Sequence, residues 1–152
     1  MNSEHIDRPA VLAEVNAAFY RYEQALISND IDVLDELFWH DARTVRYGAT
    51  ESLYGIDEIR DFRQRRPANG LQRLLENTQI TTFGEDMAVA STEFHRPGSN
   101  RRGAANANLG QAALWLAHRS GARQPARRAL GLQAVEPMMK AHGGGRLSTN
   151  RP

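Results

Sequence analysis

The sequence contains no cysteine, and its apolar residues occur only in short runs. The first absence excludes a disulfide framework, a thiolate nucleophile and any cysteine-ligated zinc or iron–sulfur site. The second leaves no stretch near the ~20 apolar residues that a membrane-spanning helix needs. The opening MNSEHIDRP lacks the basic start and apolar stretch of a signal peptide. We therefore expect a cytoplasmic protein without a membrane partner.

Lysine is nearly absent, and charge is divided unevenly along the chain. Residues 1–100 hold ten Arg and no Lys against seventeen Asp and Glu, a formal charge of −7. Residues 101–152 hold eight Arg and Lys140 against one Glu, a formal charge of +8, with Trp115 as their only aromatic residue. The acidic part does not carry a nucleic-acid footprint, and the basic part lacks interleaved aromatic residues. We expect no nucleic-acid partner.

The apolar spacing of the first thirty residues predicts a long amphipathic helix. Its apolar stripe recurs at four- and three-residue steps: Val11, Val15, Phe19, Tyr22 and Leu26. Asp7, which precedes Pro9, is a reasonable N-terminal cap. Ser28-Asn29-Asp30 ends this helix and can cap a second one.

The remaining patterns alternate between short helices and extended segments. They predict a helix from residue 31 to 38, extended segments at 44–47 and 51–54, a helix over 56–62 that stops by Pro67, and strands at 77–83 and 87–95. Helices followed by antiparallel strands make an α+β domain. After Gly98 the β-branched alternation ends, and Val135 is the only Val or Ile of the last 52 residues. We therefore expect the last strands of the sheet to be missing.

Two side chains stand out as candidates for chemistry. Tyr22 lies on the apolar stripe, so it is either a core tyrosine or a phenol that lines a pocket as a proton donor. Arg46 shares one face of its strand with Thr44. That face is either exposed or concave, and on a concave face the guanidinium suits a carboxylate ligand.

The segment Phe38-Trp39-His40-Asp41 places a histidine beside an aspartate. Adjacent residues of an extended chain point in opposite directions, which disfavours a general-base pair. We prefer Trp39 as a pocket wall, His40 as a surface residue and Asp41 as the cap of a turn.

No motif for a metal, a cofactor or a nucleophilic serine is present. The five histidines do not occur at ligand spacing, and neither a phosphate-binding loop nor G-x-S-x-G occurs. An enzyme with this sequence is therefore expected to use no metal or cofactor, and to act by positioning and proton transfer.

Four long runs resemble the AtzH-like family, which includes the HpxZ proteins of oxalurate catabolism. They are FYRYEQAL (19–26), LDELFWHDARTVRYG (34–48), LYGIDEIRDFR (53–63) and NTQITTFGEDMAVASTEF (77–94), within a resemblance over residues 4–98. This family belongs to the SnoaL-like, nuclear transport factor 2-like superfamily. The resemblance implies a cone of curved antiparallel sheet around helices, an internal pocket and a homodimer.

The activity that the resemblance implies is metal-free decarboxylation of a small carboxylated urea, as on the ureide pathways where the family occurs. Carried over by position, it makes Tyr22 a catalytic proton donor and Arg46 a catalytic carboxylate binder. It also makes Trp39, Tyr47 and Tyr54 candidate substrate-binding residues. The alternative is a non-catalytic binding or accessory module, since the superfamily includes pocketed domains without chemistry.

The C-terminal part departs from the family and resembles an out-of-frame translation. One permitted coding of residues 114–124, read one nucleotide later, gives Cys-Gly-Trp-Arg-Thr-Val-Ala-Ala-His-Val, which resembles the family's last strand. We therefore divide the chain into an incomplete domain at 4–98 and a basic, largely irregular tail at 99–152. Without its last two strands the chain is expected to be poorly folded and inactive.

Overall fold

The computed structural model describes residues 3–48 and 50–110 of the chain. A short 3-10 helix, Ser3–His5, precedes three α-helices and five strands. The helices are α1 Pro9–Ser28, α2 Ile31–Leu37 and α3 Ile56–Arg65. The strands are β1 Val45–Tyr47, β2 Ser52–Tyr54, β3 Leu74–Phe83, β4 Met87–Arg96 and β5 Arg101–Gly110.

Helix α1 follows the predicted stripe but begins without the predicted cap. Pro9 occupies its first turn, and no side chain caps its N-terminus. Asp7 instead accepts a hydrogen bond from the Thr82 backbone at 2.8 Å and donates its own N–H to the Thr82 carbonyl at 3.2 Å. The predicted role of Asp7 is therefore wrong, because its carboxylate joins the N-terminus to β3.

The junction between α1 and α2 confirms the predicted turn chemistry. Asn29 adopts the left-handed conformation at φ 56°, which ends α1, and its N–H donates to the Ala25 carbonyl. Asp30 then caps α2 by accepting from the Val33 backbone at 3.1 Å. Asparagine and aspartate are suited to these two positions because their short polar side chains bond the local backbone.

The core lies between the helices and one face of the sheet. Tyr22 and its stripe on α1 pack with Leu34 of α2, with Phe38 directly after α2, and with Ile59 of α3. Against them lie small side chains and one leucine of the sheet: Ala88, Ala90, Ala107 and Leu109. Small sheet residues let the helices approach closely.

Two antiparallel sheets complete the α+β fold. β1 pairs with β2, and the larger sheet has the order β3-β4-β5. Gly84, at φ 66°, lies in the hairpin turn between β3 and β4. The helix–sheet order is as predicted.

Strand β5 corrects the prediction that no long strand follows Gly98. It pairs with β4 along its whole length, from Arg96↔Arg101 to Met87↔Gly110. Its ladder depends on backbone groups, so weak β-propensity does not prevent it. Alternate small residues also fit the core face, where Ala105, Ala107 and Leu109 are buried. The tail prediction is wrong for Arg101–Gly110; its remainder, 111–152, lies outside the described residues.

In the part of the chain that the structure describes, no helix is long and apolar enough to cross a bilayer.

Candidate functional site

One pocket lies between α1, the end of α3 and the β4–β5 face of the sheet. Phe19, Tyr22 and Leu26 of α1 form an apolar side, and Ala105 and Ala107 of β5 form part of the opposite wall. Four arginines also line the pocket: Arg46, Arg66, Arg73 and Arg96. The pocket therefore combines an aromatic hydroxyl with a concentration of positive charge, which favours small anionic ligands.

Tyr22 and Arg46 both line this pocket and reach it from separate elements. Tyr22 projects from α1, is 4% exposed, and has its ring 6.0 Å from the Phe38 ring. Arg46 projects from β1, on the same buried face as Thr44. The face that periodicity left undecided is the inner one.

Arg46 is held by contacts on both sides of its guanidinium group. Its Nη1 donates to the Glu51 carboxylate, and its guanidinium carbon lies 5.1 Å from the centre of the Phe62 ring. Burial alone raises the pKa of Glu51, but the hydrogen bond and charge of Arg46 hold that pKa below its ordinary value. Glu51 therefore stays ionised and orients Arg46, whose Nε has no hydrogen-bond partner among residues 3–48 and 50–110.

Arg63 is a buried cation that the sequence reasoning missed. It is 1% exposed, lies 3.9 Å over the Phe38 ring, and donates through Nη1 to the Leu34 carbonyl at 3.1 Å. Its Nε and Nη2 have no partner within the described ranges, and burial lowers its pKa to about 10. The sequence feature that could have indicated its burial is its spacing, because Arg63 continues the buried face of Ile56 and Ile59 on α3.

Arg63→Met is expected to raise the free energy of unfolding by about 1 kcal/mol or more. The methionine side chain is apolar and of similar length, so the substitution removes a desolvated cation from the core without leaving a large cavity. Equilibrium unfolding in urea measures the change, with Arg65→Met as control, because Arg65 is exposed on the same helix. A loss of stability specific to Arg63→Met would contradict this reading of Arg63.

Arg73, which lines the pocket, forms a buried ion pair with Glu23. Arg73 Nε donates to one carboxylate oxygen at 2.9 Å and Nη2 to the other at 2.5 Å. Their side chains are only 3% and 7% exposed. A bidentate pair of this kind fixes Arg73 between α1 and the start of β3.

Glu23→Gln is expected to lower the free energy of unfolding by about 3–5 kcal/mol, because it leaves a buried guanidinium without its opposing charge. The matched control is Glu36→Gln, whose partner Arg21 is 42% exposed. That exposed pair is expected to contribute about 1 kcal/mol or less. Denaturant unfolding of both variants checks the difference, and equal losses would contradict it.

Trp39, Tyr47 and Tyr54 lie outside the residues that line this pocket. The Arg43 guanidinium covers the Trp39 ring at 4.6 Å. Tyr47 and Tyr54 meet edge to face, with ring centres 6.2 Å apart, and Tyr54 is 56% exposed. The β1–β2 pairing directs these two rings together and away from the inner face that Arg46 occupies.

His40 and Asp41 have structural roles, as the sequence analysis expected. His40 is exposed, and its Nε2 lies 2.8 Å from the Asp35 carbonyl. Asp41 accepts from the Arg43 backbone at 2.8 Å, as a turn cap does.

Within residues 3–48 and 50–110, no three His, Asp or Glu side chains come together as a metal site.

Solved structures share this fold. A protein of unknown function from Pectobacterium atrosepticum, of the DUF3225 family, is 48% identical over 90% of this chain and 98% of its own, with a TM-score of 0.75. A cystatin-like fold protein from Burkholderia xenovorans is 33% identical over 89% and 98%, with a TM-score of 0.72. An NTF2-like protein from Pseudomonas putida, 17% identical over 92% and 95% at a TM-score of 0.57, shares the fold alone.

No curated protein matches the chain. The sequence model of the AtzH-like family matches residues 4–123, which runs past the boundary at 98 that the sequence runs suggested. The match covers most of the chain, including both candidate residues and strand β5. The chain belongs to the AtzH-like family.

Proposed function

We propose that the pocket binds a small carboxylated urea and releases one carboxylate as carbon dioxide. Arg46 binds the carboxylate, and Tyr22 donates a proton to the departing nitrogen. The observation that supports this proposal most directly is that Tyr22 of α1 and Arg46 of β1 line one pocket. Family membership supports the same assignment, and the reaction would serve ureide or oxalurate catabolism.

The proposed reaction balances with the groups that the pocket provides. The bond between the carboxylate carbon and the nitrogen breaks, and its electron pair remains on the nitrogen. The Tyr22 phenol gives its proton to that nitrogen, and the phenolate then takes a proton from water. Arg46 holds the carboxylate in place, so the phenol and the nitrogen stay within reach of each other.

The pocket wall changes what we expect of this chain. The expected inactivity depended on the loss of two strands. Strand β5 is the first of these two strands. It is present and contributes Ala105 and Ala107 to the pocket wall, so its loss is no longer a reason to expect inactivity. We therefore propose that the chain as it stands carries the activity. We also propose a homodimer, on the resemblance alone, which sedimentation equilibrium would test.

The test is turnover of two labelled substrates by the full chain. Carbon-13 NMR follows bicarbonate release from allophanate, which carries one carboxylate, and from 1,3-dicarboxyurea, which carries two. Release well above the rate with heat-inactivated protein supports the proposal. Release at the uncatalysed rate from both substrates would refute it.

The alternative is a binding module of the same fold. The guanidinium groups in the pocket bind anions whether or not a reaction follows, and this favours the second candidate. Saturable binding of the carboxylated ureas without release of carbon dioxide is the result that would establish it.

A further inference from the structure

We infer that Arg66 is a specificity-determining residue of this pocket, positioned by Asn29, and that it binds a second acidic group of the ligand. The inference rests on the proposed function for the first acidic group, which Arg46 binds. It adds a separate contact, on a different element, that distinguishes ligands with two acidic groups from ligands with one.

The position of Arg66 is fixed by the end of α3. Its backbone N–H donates to the Phe62 carbonyl at 2.9 Å, and its own φ and ψ are extended, so the chain turns away there. The side chain is half-buried and lines the pocket. The guanidinium group therefore reaches the ligand space from a fixed point of the backbone.

Asn29 holds one edge of that guanidinium group. Arg66 Nε donates to Asn29 Oδ1 at 3.0 Å, across the junction of α1 with α2. Asn29 is itself fixed by its left-handed conformation at the end of α1. With Nε engaged, the outer edge of the fork stays available for a carboxylate.

Arg66 lacks the acidic partner that Arg46 and Arg73 have. Arg46 pairs with Glu51 and Arg73 with Glu23. Arg66 pairs with no carboxylate among the described residues, and its buried Nη2 has no hydrogen-bond partner there. An acidic group of a ligand would provide both the missing negative charge and a hydrogen-bond acceptor for Nη2.

The surrounding charges favour an anion at this point. Burial lowers the pKa of Arg66 most, the charge of Arg46 lowers it further, and the charge of the Glu51 carboxylate offsets part of that shift. Arg96, which donates to the Leu71 carbonyl at 3.0 Å, adds another cation to the lining. A second negative charge on the ligand would offset this repulsion.

The test compares two unreactive probes that share a three-carbon spacer, glutarate with two carboxylates and butyrate with one. Calorimetric titration of the full chain is expected to give tighter binding of glutarate, by about 10-fold or more, as a charged hydrogen bond provides. Arg66→Gln is expected to remove most of that preference and to leave butyrate affinity nearly unchanged. Arg65→Gln, in the exposed neighbouring position, is the control.

Asn29→Gly separates positioning from charge. Glycine adopts the left-handed conformation freely, so the helix junction is kept and only the Oδ1 acceptor is lost. We expect a smaller loss of glutarate preference than in Arg66→Gln. Arg66→Lys, which keeps the charge without the fork, is expected to be intermediate and serves if Arg66→Gln does not fold.

The inference and the proposed function fail in different ways. An unchanged glutarate preference in the folded Arg66 variant, or an equal loss for both probes, would overturn the inference even if carbon dioxide is released. If Arg66→Gln loses the glutarate preference but the full chain releases no carbon dioxide, the inference stands and the decarboxylase proposal is refuted.

Discussion

Tyr22→Phe is expected to lower kcat for decarboxylation by about 100-fold or more, as the loss of a positioned general acid does. Phenylalanine keeps the ring that packs beside Phe38, so the thermal midpoint should change little. The measurement is the initial rate of bicarbonate release at saturating substrate, beside a thermal melt.

Tyr20→Phe is the matched control for this prediction. Tyr20 is a tyrosine of the same helix, but it is 48% exposed and does not line the pocket. Its removal should leave kcat unchanged. Full activity in Tyr22→Phe would remove Tyr22 from the chemistry, whatever its place in the pocket.

A chain ending at Asn100 is expected to lose the cooperative melt of the full chain, and a chain ending at Gly110, which keeps β5, is the comparison. The first deletion removes β5 and leaves β4 as an unpaired edge. Loss of the buried Leu109 alone forfeits about 1.5–3 kcal/mol, and the stability of a whole domain is only about 5–15 kcal/mol. Far-UV circular dichroism during heating compares the two chains.

The two truncated chains test different segments: the chain ending at Asn100 tests β5, and the chain ending at Gly110 tests residues 111–152. An unchanged midpoint in the chain ending at Asn100 would show that β5 contributes nothing to the fold. A loss of cooperativity already in the chain ending at Gly110 would assign a structural role to residues 111–152.

Helices and hairpins were predictable because their signals are local. The apolar stripe of α1, the cap at Asp30 and the glycine turn at Gly84 each depend on neighbouring residues. Strand β5 was missed because its pairing is a tertiary property. Alanine and asparagine carry weak β-propensity, and the β4 edge supplies the backbone partners that local pattern does not reveal.

The site was predictable only where periodicity and resemblance agreed. Tyr22 and Arg46 lie on buried faces, and the fold brings them to one pocket. Tyr47 lies elsewhere because it alternates with Arg46 along β1, and the β1–β2 pairing puts Tyr54 on the same face as Tyr47. Trp39 lies outside the pocket, under the Arg43 guanidinium. Arg63 and Arg66 went unnoticed because a basic end of a helix is ordinarily a solvated one.

The proposed change of reading frame stays a prediction. The family match runs to residue 123, so part of the predicted tail aligns with the family. The nucleotide sequence across codons 95–125 tests the prediction, since a compensating base there would join the two frames. An intact frame conserved among close relatives would refute it.

The most direct test of the central claim, that Tyr22 and Arg46 act on one substrate in one pocket, is a double-mutant cycle on kcat/KM. Tyr22→Phe should act mainly on kcat and Arg46→Lys mainly on KM. Residues that act as a unit on one bound substrate are strongly non-additive. We predict that the double variant is little slower than the slower single variant. Strict additivity of the two losses would contradict the account.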